Sequence, residues 1–284
     1  FDMKYSQRPK YERRNETIAV LVMILLCIPV LFIYFSFFAN AFILDSTGEL
    51  TLQNFQFLYQ PIQLSQYTVE PIGKAFRNTV IFTAIATTLE VTISCMAGYA
   101  LARMEFTGKR VISFSLLTLR LFPGVLLLIG VLYVLLHLGI LNTLTGVIVV
   151  AIALRLPGST FIIRNFFAGI PQDIENSALV DGCNRLTAFF QVIIHMVKPG
   201  LASISIFAFM SAWSNYLLFN VLIFNTKTPV LATYLRVLSR NDQMIADYGV
   251  FAAMAMVYML PVLIFFFISQ RQLMQGTISG GKGI

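Results

Sequence analysis

The chain has 284 residues, of which 57% are apolar and only 12% charged, against roughly 25% charged in an ordinary soluble domain. With a mean hydropathy of +0.78, this composition excludes a disordered protein, a nucleic-acid-binding tail and a typical soluble enzyme, and leaves a polytopic membrane protein. The net charge of +7 then has to be read by where Lys and Arg fall relative to the membrane.

Residues 1–16 form a basic tail with Lys4, Arg8, Lys10, Arg13 and Arg14. Six apolar segments follow, each long enough for a helix of ~20 residues: Thr17–Leu44, Thr79–Ala102, Val111–Leu136, Thr143–Phe166, Leu201–Phe224 and Gly249–Ser269. Ala39-Asn40-Ala41 looks like a signal-cleavage site, but the apolar run before it exceeds the ~7–15 residues of a signal peptide. The period-two alternation of a membrane barrel is absent, so a helical bundle is expected. The first span and its long polar loop occupy residues 17–78, the five-span core 79–269, and a tail 270–284.

With a cytoplasmic N-terminus, 13 of the Lys and Arg residues fall inside and five outside, the remaining two being Arg120 and Arg155 within spans. This asymmetry places both termini in the cytoplasm. The three cysteines, Cys27, Cys95 and Cys183, are read as free thiols. His137 and His195 each stand alone, so no metal site is expected.

Within the core, Glu90, Arg120 and Arg155 fall about a dozen residues or fewer into their spans, near the membrane midplane. Charges there are costly and should face the interior and be paired. One reading is structural: Glu90 bridges one Arg, and another chain supplies an acid to the other. The second is functional: one Arg lines a translocation path and attracts an anionic substrate. Trp213, Asn215, Tyr216 and Asn220 in the fifth span suit a sugar, with aromatic faces and amides, or else serve as interhelical hydrogen-bonding residues.

The loop 169–200 is patterned as two helices. Pro171 suits a first helical position, Asp173 and Glu175 the first turn, Gly182 a stop and Asn184 a cap. Leu186, Phe189, Phe190, Ile193 and Val197 then recur at helical spacing as an apolar stripe. Such a segment lies on lipid head groups or docks on a partner.

Residues Ile170-Pro171-Gln172-Asp173-Ile174-Glu175-Asn176-Ser177-Ala178-Leu179-Val180-Asp181-Gly182 resemble the EAA loop of ABC-importer permeases, whose signature reads E-A-A, three residues, G, nine residues, I-x-L-P. Aligned on Gly182, Asn176 takes the Glu position, Ser177 and Ala178 the Ala positions, and Val192-Ile193-Ile194-His195 the last block. Asn176 for Glu, with Glu175 one residue earlier, alters a polar contact to the partner. His195 for Pro removes a helix break, so the second helix is expected to run on to Lys198. Asn78-Thr79, Ala97-Gly98-Tyr99-Ala100-Leu101-Ala102-Arg103, Gly139-Ile140-Leu141-Asn142-Thr143 and Gln270-Arg271-Gln272-Leu273-Met274-Gln275-Gly276 are similar to sugar-importer permeases, the last to the maltose-type inner subunit. The likeness covers about Asn78–Gly283.

The resemblance implies an all-α, type I importer fold: six transmembrane helices and a cytoplasmic coupling helix. It implies a heterodimer with a second homologous permease, two cytoplasmic ATPase subunits that hold ATP and Mg, and an extracytoplasmic solute-binding protein that delivers a carbohydrate. The setting is the cytoplasmic membrane of a bacterium or archaeon. Glu175, Asn176, Ser177, Ala178, Asp181 and Gly182 are then the coupling residues, and Gln275 and Gly276 in the tail reach the ATPase. No catalytic residue and no cofactor of its own are expected of this chain, which lacks a GxxxxGK[ST] loop. The rival reading is a secondary transporter or channel, which would couple through intramembrane carboxylates, where only Glu90 qualifies. An intramembrane protease is weaker still, because H-E-x-x-H is absent and neither His lies mid-span. For the substrate, an anionic saccharide such as a uronate oligosaccharide or sugar phosphate stands beside a neutral one.

Overall fold

Residues 10–44, 48–63, 68–224, 228–239 and 248–280 are described by the computed structural model. The topology charges Lys4, Arg8, Lys227, Arg240 and Lys282, and the last tail residues, lie outside them. Two compact units are present, Phe1–Glu70 with Leu238–Val257 and Pro71–Val237 with Tyr258–Ile284.

In the first unit, the apolar run at the N-terminal end becomes one helix, α1 (Lys10–Ala41). The most apolar window of Thr17–Ala41 is not buried inside the chain at all. A helix apolar all round and exposed over most of its length is built for lipid or another subunit. Its last carbonyls, which no helix can satisfy internally, are met by buried Asn54. The Asn54 Nδ2 donates to the carbonyls of Asn40 at 3.4 Å and Ala41 at 3.1 Å, and to that of Ile43, just past the helix, at 2.8 Å. Two short strands, β1 (Ile62–Gln63) and β2 (Thr68–Val69), pair antiparallel in the loop after α1; apart from a bridge between Ile43 and Leu50, the other regular elements among the described residues are helices.

The second unit is built on α2 (Gly73–Arg103) and α5 (Leu144–Ala168), the second and fourth expected spans. They cross at Gly98, where a Cβ would stand 2.5 Å from Ile163 Cγ2, so only glycine permits the approach. Phe82, Val147, Leu218, Phe219 and Leu222 fill one end of this core, and Tyr99, Ile163, Phe167, Phe189 and Ile193 fill the other.

The sixth expected span is α11 (Tyr248–Gly280), which continues past Ser269 through Gly280. The third and fifth are each two helices rather than one. Val111–Leu136 divides into α3 (Lys109–Leu119) and α4 (Gly124–His137). The Arg120 and Leu121 amides bond three residues back, to Leu117 and Thr118, tightening the last turn. Pro123 then takes extended backbone and has no N–H with which to continue the helix. Leu201–Phe224 divides into α8 (Lys198–Trp213) and α9 (Tyr216–Leu222), the second capped by the Asn215 side chain. Among the described residues, four uninterrupted helices are therefore long and apolar enough to cross a membrane. A short helix, α10 (Leu231–Ser239), is tied to α2, because the Leu231 amide donates to Thr79 Oγ1 and Asn78 Nδ2 donates to the Pro229 carbonyl, both at 2.9 Å.

Candidate coupling and translocation site

The loop 169–200 folds as α6 (Gln172–Val180), a turn, and a second helical stretch, α7 (Arg185–Met196), whose middle, Phe189–Ile193, is wound as a π-helix. Gly182 ends α6 with φ +90°, a left-handed conformation that a side chain would strain. Its amide donates to the Leu179 carbonyl and that of Cys183 to the Ala178 carbonyl, the paired bonds of a Schellman cap. Asn184 caps α7 by accepting from the Thr187 amide at 2.8 Å. The α7 helix stops at Met196 instead of running on to Lys198, and α8 leaves it at 78°. Pro199 cannot donate to the His195 carbonyl, so the break survives with His195 in the Pro position.

The residues expected to couple divide between two faces. Glu175 and Ala178 are buried, whereas Asn176, Ser177, Asp181 and Gly182 are exposed. Glu175 is held by the end of the second span. Tyr99 Oη donates to its Oε1 at 2.6 Å, and Arg103 Nε stands 3.7 Å from its Oε2. Arg103 also donates through Nη2 to the Ile170 carbonyl at 2.5 Å. Tyr99 itself is wedged against Phe189 and Phe167, with ring centroids 4.7 and 5.6 Å away. The expected apolar stripe of the second helix is likewise split. Phe189, Ile193 and Val197 are buried inside, while Leu186 and Phe190 stand 71% and 58% exposed, beside Val180 at 87%. Residues 186 and 190, four apart, share one helix face, and 189, 193 and 197 share another. Residues 169–200 are thus joined to α2 on one side, and among the described residues Val180, Leu186 and Phe190 stand exposed.

At mid-span, Glu90 is 2% exposed and saturated by α5. Arg155 Nε donates to its Oε2 at 3.1 Å and Ser159 Oγ to its Oε1 at 2.5 Å. The Arg155 Nη2 reaches the Phe207 carbonyl at 2.9 Å. Glu90 therefore bridges Arg155. Arg120 stands apart at the break between α3 and α4, exposed, its guanidinium 5.7 Å from the centroid of the Phe161 ring. Among the described residues no carboxylate pairs with it.

The four fifth-span residues also separate. Trp213 is buried and exchanges hydrogen bonds with Tyr258, through Nε1 to the Tyr258 carbonyl and from Tyr258 Oη to its own. Asn215 is the cap of α9. Only Tyr216 and Asn220 stand together, joined by Arg236. Its guanidinium covers the Tyr216 ring at 5.5 Å and donates to Asn220 Oδ1. Gln275 and Gly276 lie in α11.

Tyr99, Arg103, Ser159 and Arg236 join these sites without having been singled out for them. Tyr99 and Arg103 are one helical turn apart, the signal that they serve one partner. Ser159 lies one turn from Arg155 on α5. Arg236 carries no such signal, because its contact to Asn220 joins two different helices, α9 and α10, sixteen positions apart.

Binding-protein-dependent transport system inner membrane components match residues 90–278. A diacetylchitobiose uptake system permease protein of Streptomyces coelicolor is 32% identical over 271 residues, which is 94% of this chain and 87% of that one. A sulfoquinovosyl glycerol transport system permease protein of Agrobacterium fabrum is 29% identical, covering 84% of each chain. In three dimensions the fold is similar to a bacterial ABC transporter involved in the import of the acidic polysaccharide alginate. The TM-score is 0.75 at 19% identity, over 93% of this chain and 98% of that one.

Proposed function

The chain belongs to the binding-protein-dependent transport system inner membrane components, and on that premise we propose that it is the permease subunit of an ATP-driven carbohydrate importer. It is a multi-pass protein of the inner membrane. Permeases for diacetylchitobiose and sulfoquinovosyl glycerol as its relatives support a sugar as cargo. Both termini lie in the cytoplasm on the Lys and Arg asymmetry. The chain forms half of the pathway with a second permease and catalyses nothing itself. ATP and Mg sit on two partner ATPase subunits, and a solute-binding protein delivers the sugar at the outer face.

The observation that carries this reading is the two-sided coupling segment. Its inner side is fixed to α2 through Glu175, Tyr99 and Arg103. Its outer side offers Val180, Leu186 and Phe190, exposed among the described residues. A rigid element with one bonded face and one open apolar face passes a partner's motion into the membrane by packing. We assign the open face, with Asn176, Ser177, Asp181 and Gly182, to the ATPase, and Gln275 and Gly276 to a second contact with it.

Gly182 supplies the test. A Cβ there would meet no atom of this chain within 4 Å, so a large side chain is blocked only by a partner. In the assembled complex, Gly182→Arg abolishes sugar-stimulated ATP hydrolysis and uptake while the subunits still co-purify. Gly182→Ala retains most of both, costing only the left-handed backbone strain of about 1 kcal/mol. Full activity of Gly182→Arg contradicts the coupling assignment.

A further inference from the structure

Arg120 is the one mid-span charge that the fold leaves without a counter-ion among the described residues. It lies eleven residues after the start of α3 at Lys109, about 16 Å along the helix and so near the centre of a hydrocarbon layer of ~30 Å. Arg155 is eleven residues into α5 and Glu90 thirteen residues from the end of α2, which sets all three at one depth. The Arg120 Nε stands 3.9 Å from where a Cβ on Gly158 would be, and Gly158 adjoins Ser159, which bonds Glu90. This layer of the second unit thus carries two guanidiniums and one carboxylate, and that carboxylate is committed to Arg155 and Ser159.

The backbone beside Arg120 is equally telling. Arg120–Pro123 is non-helical and exposed, with Leu121 at 82% and Phe122 at 55%. Irregular backbone at membrane depth has unpaired carbonyls that lipid cannot satisfy, so it has to be covered by protein or line a water-filled route. Helices broken at the midplane around a charged group are a recurring way to bind a solute there. The Phe161 ring under the guanidinium holds the cation by its face, leaving the edge geometry of a guanidinium suited to a carboxylate, sulfonate or phosphate oxygen pair.

We propose that the break at Arg120–Pro123 lines the translocation route and that Arg120 is a binding site there for the anionic group of an acidic saccharide. The proposal rests on the importer reading above and adds the substrate class to it.

The test uses the complete transporter, purified with its partner subunits and sealed into vesicles. The probes are an oligouronate and a neutral oligohexose of equal length. Arg120→Gln raises the KM for oligouronate uptake about tenfold or more, the weight of a lost charge-assisted bond, and leaves the oligohexose within about twofold. Arg120→Lys keeps most of the discrimination. Equal losses on both saccharides, or an unsubstituted complex that moves only the neutral one, overturn the anion site and leave the importer reading standing. An unsubstituted complex that moves neither with ATP overturns that reading, and this proposal with it.

Leu121→Cys, in a chain with Cys27, Cys95 and Cys183 replaced by Ala, gives an independent readout. A membrane-impermeant sulfonated thiol reagent labels it in the assembled transporter, and the oligouronate slows the labelling. No labelling means that lipid or the second permease covers the break, and overturns the route.

Discussion

Glu90 and Glu175 are both buried carboxylates, and each keeps its place by having one ion-pair partner and one hydroxyl donor. Removing a charge from water costs several kcal/mol unless it is paired and hydrogen-bonded. Glu90 meets this with Arg155 and Ser159, and Glu175 with Tyr99 and Arg103. Glu90→Gln therefore strands the Arg155 guanidinium and lowers the amount of folded protein in the membrane. The double change Glu90→Gln with Arg155→Gln recovers part of it, read as detergent-resistant monodisperse protein; a double variant worse than either single one contradicts the pairing. Since Arg155 is neutralised, Arg155→Gln affects acidic and neutral sugars alike, unlike Arg120→Gln. Tyr99→Phe deletes one hydrogen bond to a charged group, worth ~1.5–3 kcal/mol. It leaves the Phe-like ring packed between Phe167 and Phe189, so the complex assembles. The expected defect is less sugar moved per ATP hydrolysed, and an unchanged ratio would mean that Glu175 does not transmit the motion.

At the scale of elements, the crossing of α2 and α5 is set by Gly98. Gly98→Ala puts a methyl 2.5 Å from Ile163 Cγ2 and 3.1 Å from the Arg164 amide nitrogen. Overpacking of this kind costs ~1–3 kcal/mol and lowers the melting temperature of the purified complex. Ile163→Ala in the same chain restores part of the loss; no restoration would place the strain elsewhere. The helix–turn–helix of residues 169–200 was legible in the sequence because its punctuation is local: Gly182 stops α6, Asn184 caps α7, and Pro199 breaks the chain into α8. Its sidedness was not. The residues Leu186, Phe189, Phe190, Ile193 and Val197 read as one stripe, yet span both an inner and an outer helix face, and the π-helical turn at Phe189–Ile193 shifts the register further. The break inside Val111–Leu136 was hidden for a related reason. An apolar run reads as one helix, and a single Pro123 in it is compatible with a kink as well as a stop.

For the whole molecule, composition was enough for the membrane class, and the ordered motifs for the family; the orientation rests on the Lys and Arg asymmetry alone. What they left unassigned depends on long-range placement: which Arg meets Glu90, whether Trp213 faces a path or Tyr258, and which side of the coupling helix is free. The fold answers each of these with named contacts: one face of the 169–200 segment is bonded to the second span and the other is exposed, the basis of the lever proposed above. Crosslinking reads that outer face directly. A photo-reactive side chain at position 186, in place of Leu186, is activated in native membranes and the attached protein identified by mass spectrometry. The account predicts an ATP-binding-cassette ATPase as the crosslinked partner, lost when Gly182 is replaced by Arg. Crosslinks to lipid alone, or to no ATPase in membranes where the chain is fully assembled, would contradict it.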